Sequence, residues 1–458
     1  MGHVSWCALV LAVATVLGGC GSNGNGAGAS EGDSGPGDDA GEAGAAAGED
    51  SGGYPAFTVD APQIEKNQGI VLASPVIVTI TWPGDPNAPM WEAFGDAIGA
   101  SPYWAATTAP YGVGPATSGP SNHVRMTRPL PASLSFKDVE NLVIGAVQAA
   151  QSDGGVAYIG APDVGAPNPP WPLPTLDANA DPQTIYSLFI PASTRETDPS
   201  GSSFCLQGGF GYHDFVAVGT TLVAFAVNGE CAGQTVASLQ EGATHEAIEA
   251  ATNPLETMGY LGFDPDHAAW DIYTGYQDEL GDACEYWEDS YYQESGSFPY
   301  WVQRSWSNTS ALAGHDPCVP APATPYQGMT LFPSQESTVR IDPSALGFGG
   351  KATNTKGFTA TLGQPLTFQV GYFSDGSTAP WNIAYDFPAD LPTTGSSVSN
   401  GKATVTIDQT SGQNGDMANV TVTVTAKGTI GFHVMAITWG PTSRDFLPHY
   451  LPVVIVDG

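Results

Sequence analysis

His245, Glu246 and Glu249 form the pattern His-Glu-x-x-Glu, and Pro254 follows five residues later. On a helix, residues four apart share a face, so the His245 imidazole and the Glu249 carboxylate can reach one ion together. This is the zinc-hydrolase helix His-Glu-x-x-His with a carboxylate in place of the second imidazole. Water-activating zinc chemistry needs three protein ligands, an open position and a base beside it. His245 and Glu249 supply two ligands, and Glu246, one position round the helix, is the expected catalytic base. The third ligand must come from another segment. His213, in Gly211-Tyr212-His213, read as a Gly-rich loop, completes a two-histidine, one-carboxylate set; Glu279 and Asp282 are the oxygen alternatives. The expected cofactor is Zn2+.

The same residues admit a plainer reading. Glu246 and Glu249 would then form a solvated helix face, and His245 would be a hydrogen-bonded core histidine. The carboxylate-rich stretch 264–271 offers oxygens for calcium but lacks EF-hand spacing.

Several elements must position the motif. A helix over about 236–251 carries it and Pro254 stops it. Ahead of it, the β-branched run 75–82 predicts a buried strand, 90–98 a helix and 123–126 a short strand. Residues 135–151 predict a second helix, with Ser135 as N-cap and Val139, Leu142, Val143 and Val147 as its buried stripe. Strands follow at 184–190, 215–218 and 222–227. Zincin catalytic domains share this general order. Beyond Pro254 the chain is dense in aromatics, among them Trp270, Tyr273, Tyr276, Tyr286, Trp287 and Trp306. These suit the core of a loop-rich subdomain or the wall of a groove for sugar or peptide. A Pro/Ala linker at 321–326 separates this part (54–320) from an all-β region, 327–458. There, strands are expected at 337–341, 366–372, 403–407, 418–426, 431–438 and 453–456, with Gly, Asn and Asp turns. The expected fold class is α+β: a zincin-like α/β domain with a loop-rich, disulfide-bonded end, then an immunoglobulin-like sandwich lacking the inter-sheet disulfide.

Charge and targeting bound the setting. The chain has 12 basic and 46 acidic residues, a net charge of -34. That argues against nucleic acid as a partner and against electrostatic attachment to anionic lipid. Residues 4–17 are an apolar run of signal-peptide length, ending in Leu17-Gly18-Gly19-Cys20, which resembles a bacterial lipobox. His3 precedes the run, with no Lys or Arg. A signal over 1–20 with lipidation at Cys20 is expected, followed by a disordered acidic Gly/Ala/Ser tether over 21–53. Membrane contact would come through the lipid anchor only, at the outer membrane or cell surface. Cys205, Cys231, Cys284 and Cys318 remain; in an exported protein an even number suggests disulfides. Sequence order favours Cys205–Cys231 and Cys284–Cys318, among three connectivities.

A set of short landmarks recurs in order: Tyr111-Gly112-Val113-Gly114, Phe204-Cys205, Gly211-Tyr212-His213, His245-Glu246-x-x-Glu249-Ala250, Thr252-Asn253-Pro254, Gly281-Asp282-Ala283-Cys284 and Trp306-Ser307-Asn308. Over residues 75–318 this resembles bacterial exported relatives of the plant phosphate-induced, or Exordium, family. The resemblance implies an extracellular, cysteine-bearing protein. Plant members share the Phe-Cys, His and Thr-Asn-Pro landmarks without His-Glu-x-x-Glu, so the metal motif is a departure from them. The resulting expectation is a lipid-anchored extracytoplasmic metal-dependent hydrolase, zinc peptidase-like, acting on peptide or cell-wall glycan. The alternative is a non-catalytic surface lipoprotein that recognises glycan or protein.

Overall fold

The structure, a computed structural model, describes residues 53–152, 168–197, 203, 205, 211–255, 258–274, 279–285, 289–346, 351–386, 402–439 and 449–458. The expected signal (1–20, with Cys20) and the tether up to residue 52 lie outside them, as do Phe204, Tyr276, Tyr286 and Trp287. The protein is mixed α+β, mostly strand.

Residues 76–229 build a five-stranded sheet. Its strands are β1 (Val76–Thr81), β2 (His123–Arg125), β3 (Thr184–Ile190), β4 (Gly211–Val218) and β5 (Thr221–Gly229), in the order β2-β1-β3-β5-β4. The first four are parallel, and β4 runs antiparallel to β5 as a hairpin edge. A parallel sheet needs cover on both faces, which is why β3 is buried at all seven positions. Helix α1 (Ala88–Ile98) lies on one face and α2 (Phe136–Gln151) on the other. Alternation along each strand divides the side chains. Val78, Leu188 and Phe225 pack against Val139, Val143 and Val147 of α2, whereas Ile77, Ile185 and Ala226 face Trp91 and Phe94 of α1. Ser135 caps α2 in a capping box with Asp138, worth about 1 kcal/mol.

The motif helix α3 (Val236–Thr252) joins α1 on its face of the sheet. Thr235 caps it, accepting from the Ser238 N–H at 3.1 Å. Its alanines 243, 247, 250 and 251 are small enough to seat it closely against the sheet core. Its other side meets the strand Trp301–Gln303, where the Gln303 N–H donates to Thr244 Oγ1 at 3.1 Å. Every residue from Gly242 to Thr252 is therefore buried, polar ones included.

One expectation changes here. Gly211-Tyr212-His213 is the start of strand β4, not a loop. Tyr212 points toward α2, so His213, one residue on and paired with Ala226, points to the α3 side. Of the aromatics beyond Pro254, Trp270, Tyr273 and Trp306 are core residues.

Residues 327–457 form two further sheets. The four-stranded one joins Gln327–Leu331, Pro365–Ser374, Met417–Val424 and Ala403–Ile407 in that order. The six-stranded one includes Ser337–Ile341, Thr353–Ala360, Tyr450–Asp457, Phe432–Trp439 and Trp381–Asp386. Pairing is antiparallel except where Phe358–Ala360 runs parallel to Ile455–Asp457. Both sheets contribute to one apolar cluster, with Phe368, Val420 and Val422 from the first and Met435, Ile437 and Val453 from the second. Helix α4 (Ala268–Thr274), which precedes the expected linker, packs Ala269, Ile272 and Tyr273 onto Val434, Tyr450 and Val454 of the six-stranded sheet.

Both expected disulfides form. Cys205–Cys231 has a Cα separation of 5.5 Å and Cys284–Cys318 one of 5.8 Å. Two disulfides fit an oxidising, extracytoplasmic compartment. Among the described residues no helix is long and apolar enough to cross a membrane.

Candidate metal centre

Six ionisable side chains converge where the end of α3 meets β4 and the short helix α5 (Asp282–Glu285): His213, His245, Glu246, Glu249, Glu279 and Asp282. None is more than 7% exposed, and Glu249 is 0% exposed. The solvated-face reading of Glu246 and Glu249 is thereby overturned.

The helix supplies His245 and Glu249 one turn apart, with His245 Nε2 3.0 Å from Glu249 Oε2. Across the gap, His213 Nδ1 lies 3.6 Å from the same Oε2 and 3.4 Å from Glu246 Oε2. Glu279 Oε1 is 3.5 Å from His213 Nε2, and Asp282 Oδ1 is 3.6 Å from His245 Nε2. Among the described residues, two sets of three have donor atoms within 4.8 Å of one another: His213, Glu249 and Glu279, and His245, Glu249 and Asp282. These groups can hold a metal ion. His213 and His245 fall in different sets, joined by Glu249. Glu246 belongs to neither set, and neither includes the 264–271 stretch considered for calcium.

The surroundings hold these groups in orientation. The Gln303 Nε2 amide donates to the Gly281 carbonyl at 2.8 Å, which turns Gln303 Oε1 toward His245 Nδ1 at 3.0 Å. The His245 proton then sits on Nδ1, and Nε2 is left to face Glu249 and Asp282. His213 is held likewise: Nε2 meets the Asn253 carbonyl at 3.1 Å, leaving Nδ1 toward Glu246 and Glu249. Asn253 Nδ2 also donates to Glu279 Oε1. Glu249 Oε1 accepts the backbone N–H groups of Gly281 at 3.0 Å and Asp282 at 3.2 Å. Its Oε2 is buried with no hydrogen-bond partner, and His245 Nε2 stands 3.0 Å away as an ion-pair neighbour. Two glycines make the room: a Cβ on Gly281 would sit 2.7 Å from both Glu249 Oε1 and His245 Nδ1, and one on Gly211 2.5 Å from Glu246 Cγ.

Two imidazole lone pairs aimed at an anionic oxygen repel it unless a cation or protons lie between. The electrostatics express that. Burial pulls the His213 pKa down, but the charges of Glu279, Glu249 and Glu246 outweigh it and push it up to about 10. Burial acts in the same sense on His245, and Glu249, Glu246 and Asp282 carry it well above the ordinary value. Glu279 is raised well above the carboxylate range, first by burial. Burial also raises Glu246, with His213 and His245 opposing. For Glu249, burial acts upward but the two imidazoles win and its pKa falls.

The motif gave His245, Glu246 and Glu249 directly. Gln303 and Asn253, which orient the two imidazoles, were not assigned a role from sequence. Asn253 was visible in Thr252-Asn253-Pro254; Gln303 carried no local signal.

No protein-family model and no curated protein matches the chain. Among solved structures, a Bacteroides ovatus GH5 xyloglucanase in complex with a XXXG heptasaccharide aligns at 15% identity and a TM-score of 0.14, covering 22% of this chain and 17% of that chain. At that TM-score the likeness carries no argument.

Proposed function

We propose that this protein is an extracytoplasmic metal-dependent hydrolase, an exported Exordium-like relative anchored to the cell envelope through Cys20, with zinc at the cluster around Glu249. The observation that carries this is Glu249 Oε2: buried, without a hydrogen-bond partner, and faced by two imidazole nitrogens whose opposite nitrogens are tied down. Mixed imidazole and carboxylate donors suit zinc. When bound, zinc supplies Lewis acidity to water and to a scissile carbonyl. His245, Glu249 and Asp282 bind, with His213 and Glu279 completing the site. Glu246 lies outside both donor sets but beside them, 3.4 Å from His213 Nδ1, where a carboxylate can take a proton from water and return it to a leaving amine. A peptide, or the peptide part of a cell wall, is the proposed substrate. The two-sheet region, 327–458, is proposed to be an immunoglobulin-like spacer or binding module.

One observation favours a second reading. All six groups are buried, and a closed coordination sphere is the mark of a structural metal centre. The protein would then be a surface lipoprotein that recognises glycan or protein, with the metal stapling α3, β4 and α5. Glu246→Gln separates the two. The hydrolase reading expects full metal content and at least a hundredfold loss of peptide cleavage. Metal-loaded wild type that cleaves nothing in a broad peptide library leaves the structural reading.

A further inference from the structure

We infer that the cluster binds two divalent cations, bridged by Glu249, rather than one. This deepens the metal-centre reading and rests on it. The donor atoms divide into two sets, each with one imidazole and one carboxylate of its own: His213 with Glu279, and His245 with Asp282. Glu249 is common to both. Its two oxygens are unequally used. Oε1 is occupied by the N–H groups of Gly281 and Asp282, whereas Oε2, buried and without a hydrogen bond, faces His245 Nε2 at 3.0 Å and His213 Nδ1 at 3.6 Å. Among the described residues, no set of three close donors contains both histidines.

Donor count points the same way: Glu246, Glu249, Glu279 and Asp282 set four carboxylates around two imidazoles in a buried pocket, more ligands than one four-coordinate zinc takes up. Carboxylate-bridged pairs of this donor type, with ions roughly 3.5–4 Å apart, take first-row dications such as zinc, manganese or cobalt.

The test is stoichiometric. Full-length protein stripped with a chelator and freed of it is titrated with zinc, gel-filtered and analysed for bound metal. Two equivalents are expected in wild type and one in each of Glu279→Gln and Asp282→Asn; the ion each variant keeps reports that it is folded. One equivalent in wild type overturns the two-cation inference while leaving the metal centre standing. None removes both. Two equivalents that persist in both variants put the ions elsewhere and overturn it. If either variant loses both ions, cobalt-loaded wild type decides: a spin-coupled pair supports the bridge, and two uncoupled cobalt ions overturn it.

Discussion

Where α4 meets the six-stranded sheet, the Asp60 carboxylate lies 3.0 Å from Lys356 Nζ and 3.6 Å from His267 Nε2, and Asp264 lies 2.8 Å from His267 Nδ1. At the end of α3, four carboxylates meet two imidazoles. Both are partly or wholly buried acidic clusters built around histidine, yet they close differently. The first carries its own permanent cation and ties the N-terminal segment to the sheet. The second leaves an anionic oxygen facing two oriented nitrogens, a shape that favours an ion from outside the chain. Buried charge is thus either balanced by the sequence or gathered into groups that could hold an ion, and the two can be told apart by perturbation.

The largest expected difference comes from chelation. If metal binds only the folded cluster, stripping it removes about 4 kcal/mol at free metal a thousandfold above Kd, which lowers the unfolding midpoint by on the order of 10 °C. Glu249→Ala should already be low and insensitive to chelator, and His267→Gln should keep the wild-type response. Scanning calorimetry of the three proteins with and without chelator checks this. A wild type indifferent to chelator would erase the distinction between the clusters.

Next comes the Cys284–Cys318 disulfide, which spans 34 residues and anchors α5 two residues beyond Asp282. Replacing both cysteines by serine should cost roughly 3 to 4 kcal/mol by chain entropy. Zinc affinity should fall with it, read by competition with a chromophoric chelator. Unchanged affinity would mean that α5 is held by packing alone.

The self-balanced joint predicts a pH effect. Burial lowers the His267 pKa, but Asp264 and Asp60 outweigh it and push it up to about 9, above the usual value of 6.5. A group raised on folding stabilises fully below its unfolded pKa and loses that contribution as pH rises through the folded one. Metal-stripped protein should therefore lose on the order of 2 kcal/mol between about pH 6.5 and 9 relative to His267→Gln. Parallel pH profiles in urea unfolding would contradict the assignment.

The smallest effect is at Gln303. Its alanine variant leaves every ligand in place but frees the His245 ring, so zinc affinity should fall about 10- to 100-fold. Stability of the metal-stripped protein should change less than that of the loaded one.

What could be read from sequence follows from range. The motif helix announced itself through His245, Glu249 and Pro254, and α2 through Ser135 and its apolar stripe, because caps and periodicity are local. The disulfide pairing followed sequence order. His213 was a visible candidate, but its strand was not, since Gly211, His213 and Asp214 interrupt a β pattern that continues only from Phe215. Within the all-β region the strands Thr353–Ala360 and Trp381–Asp386 carry a weaker signal, because polar residues dominate the first and a polar Asn382 interrupts the second. The division into two donor sets was out of reach. It depends on how β4, α3 and α5 converge, and the imidazoles are oriented by Gln303 and Asn253, 58 and 40 residues away from them.

The most direct test of the account is elemental analysis of full-length protein, purified without chelator and supplied with zinc, beside Glu249→Ala. The account predicts stoichiometric metal in the wild type and none in the variant, because Glu249 is the one residue both donor sets require. Wild type that retains less than one ion per chain, or a variant that retains as much as wild type, would contradict it.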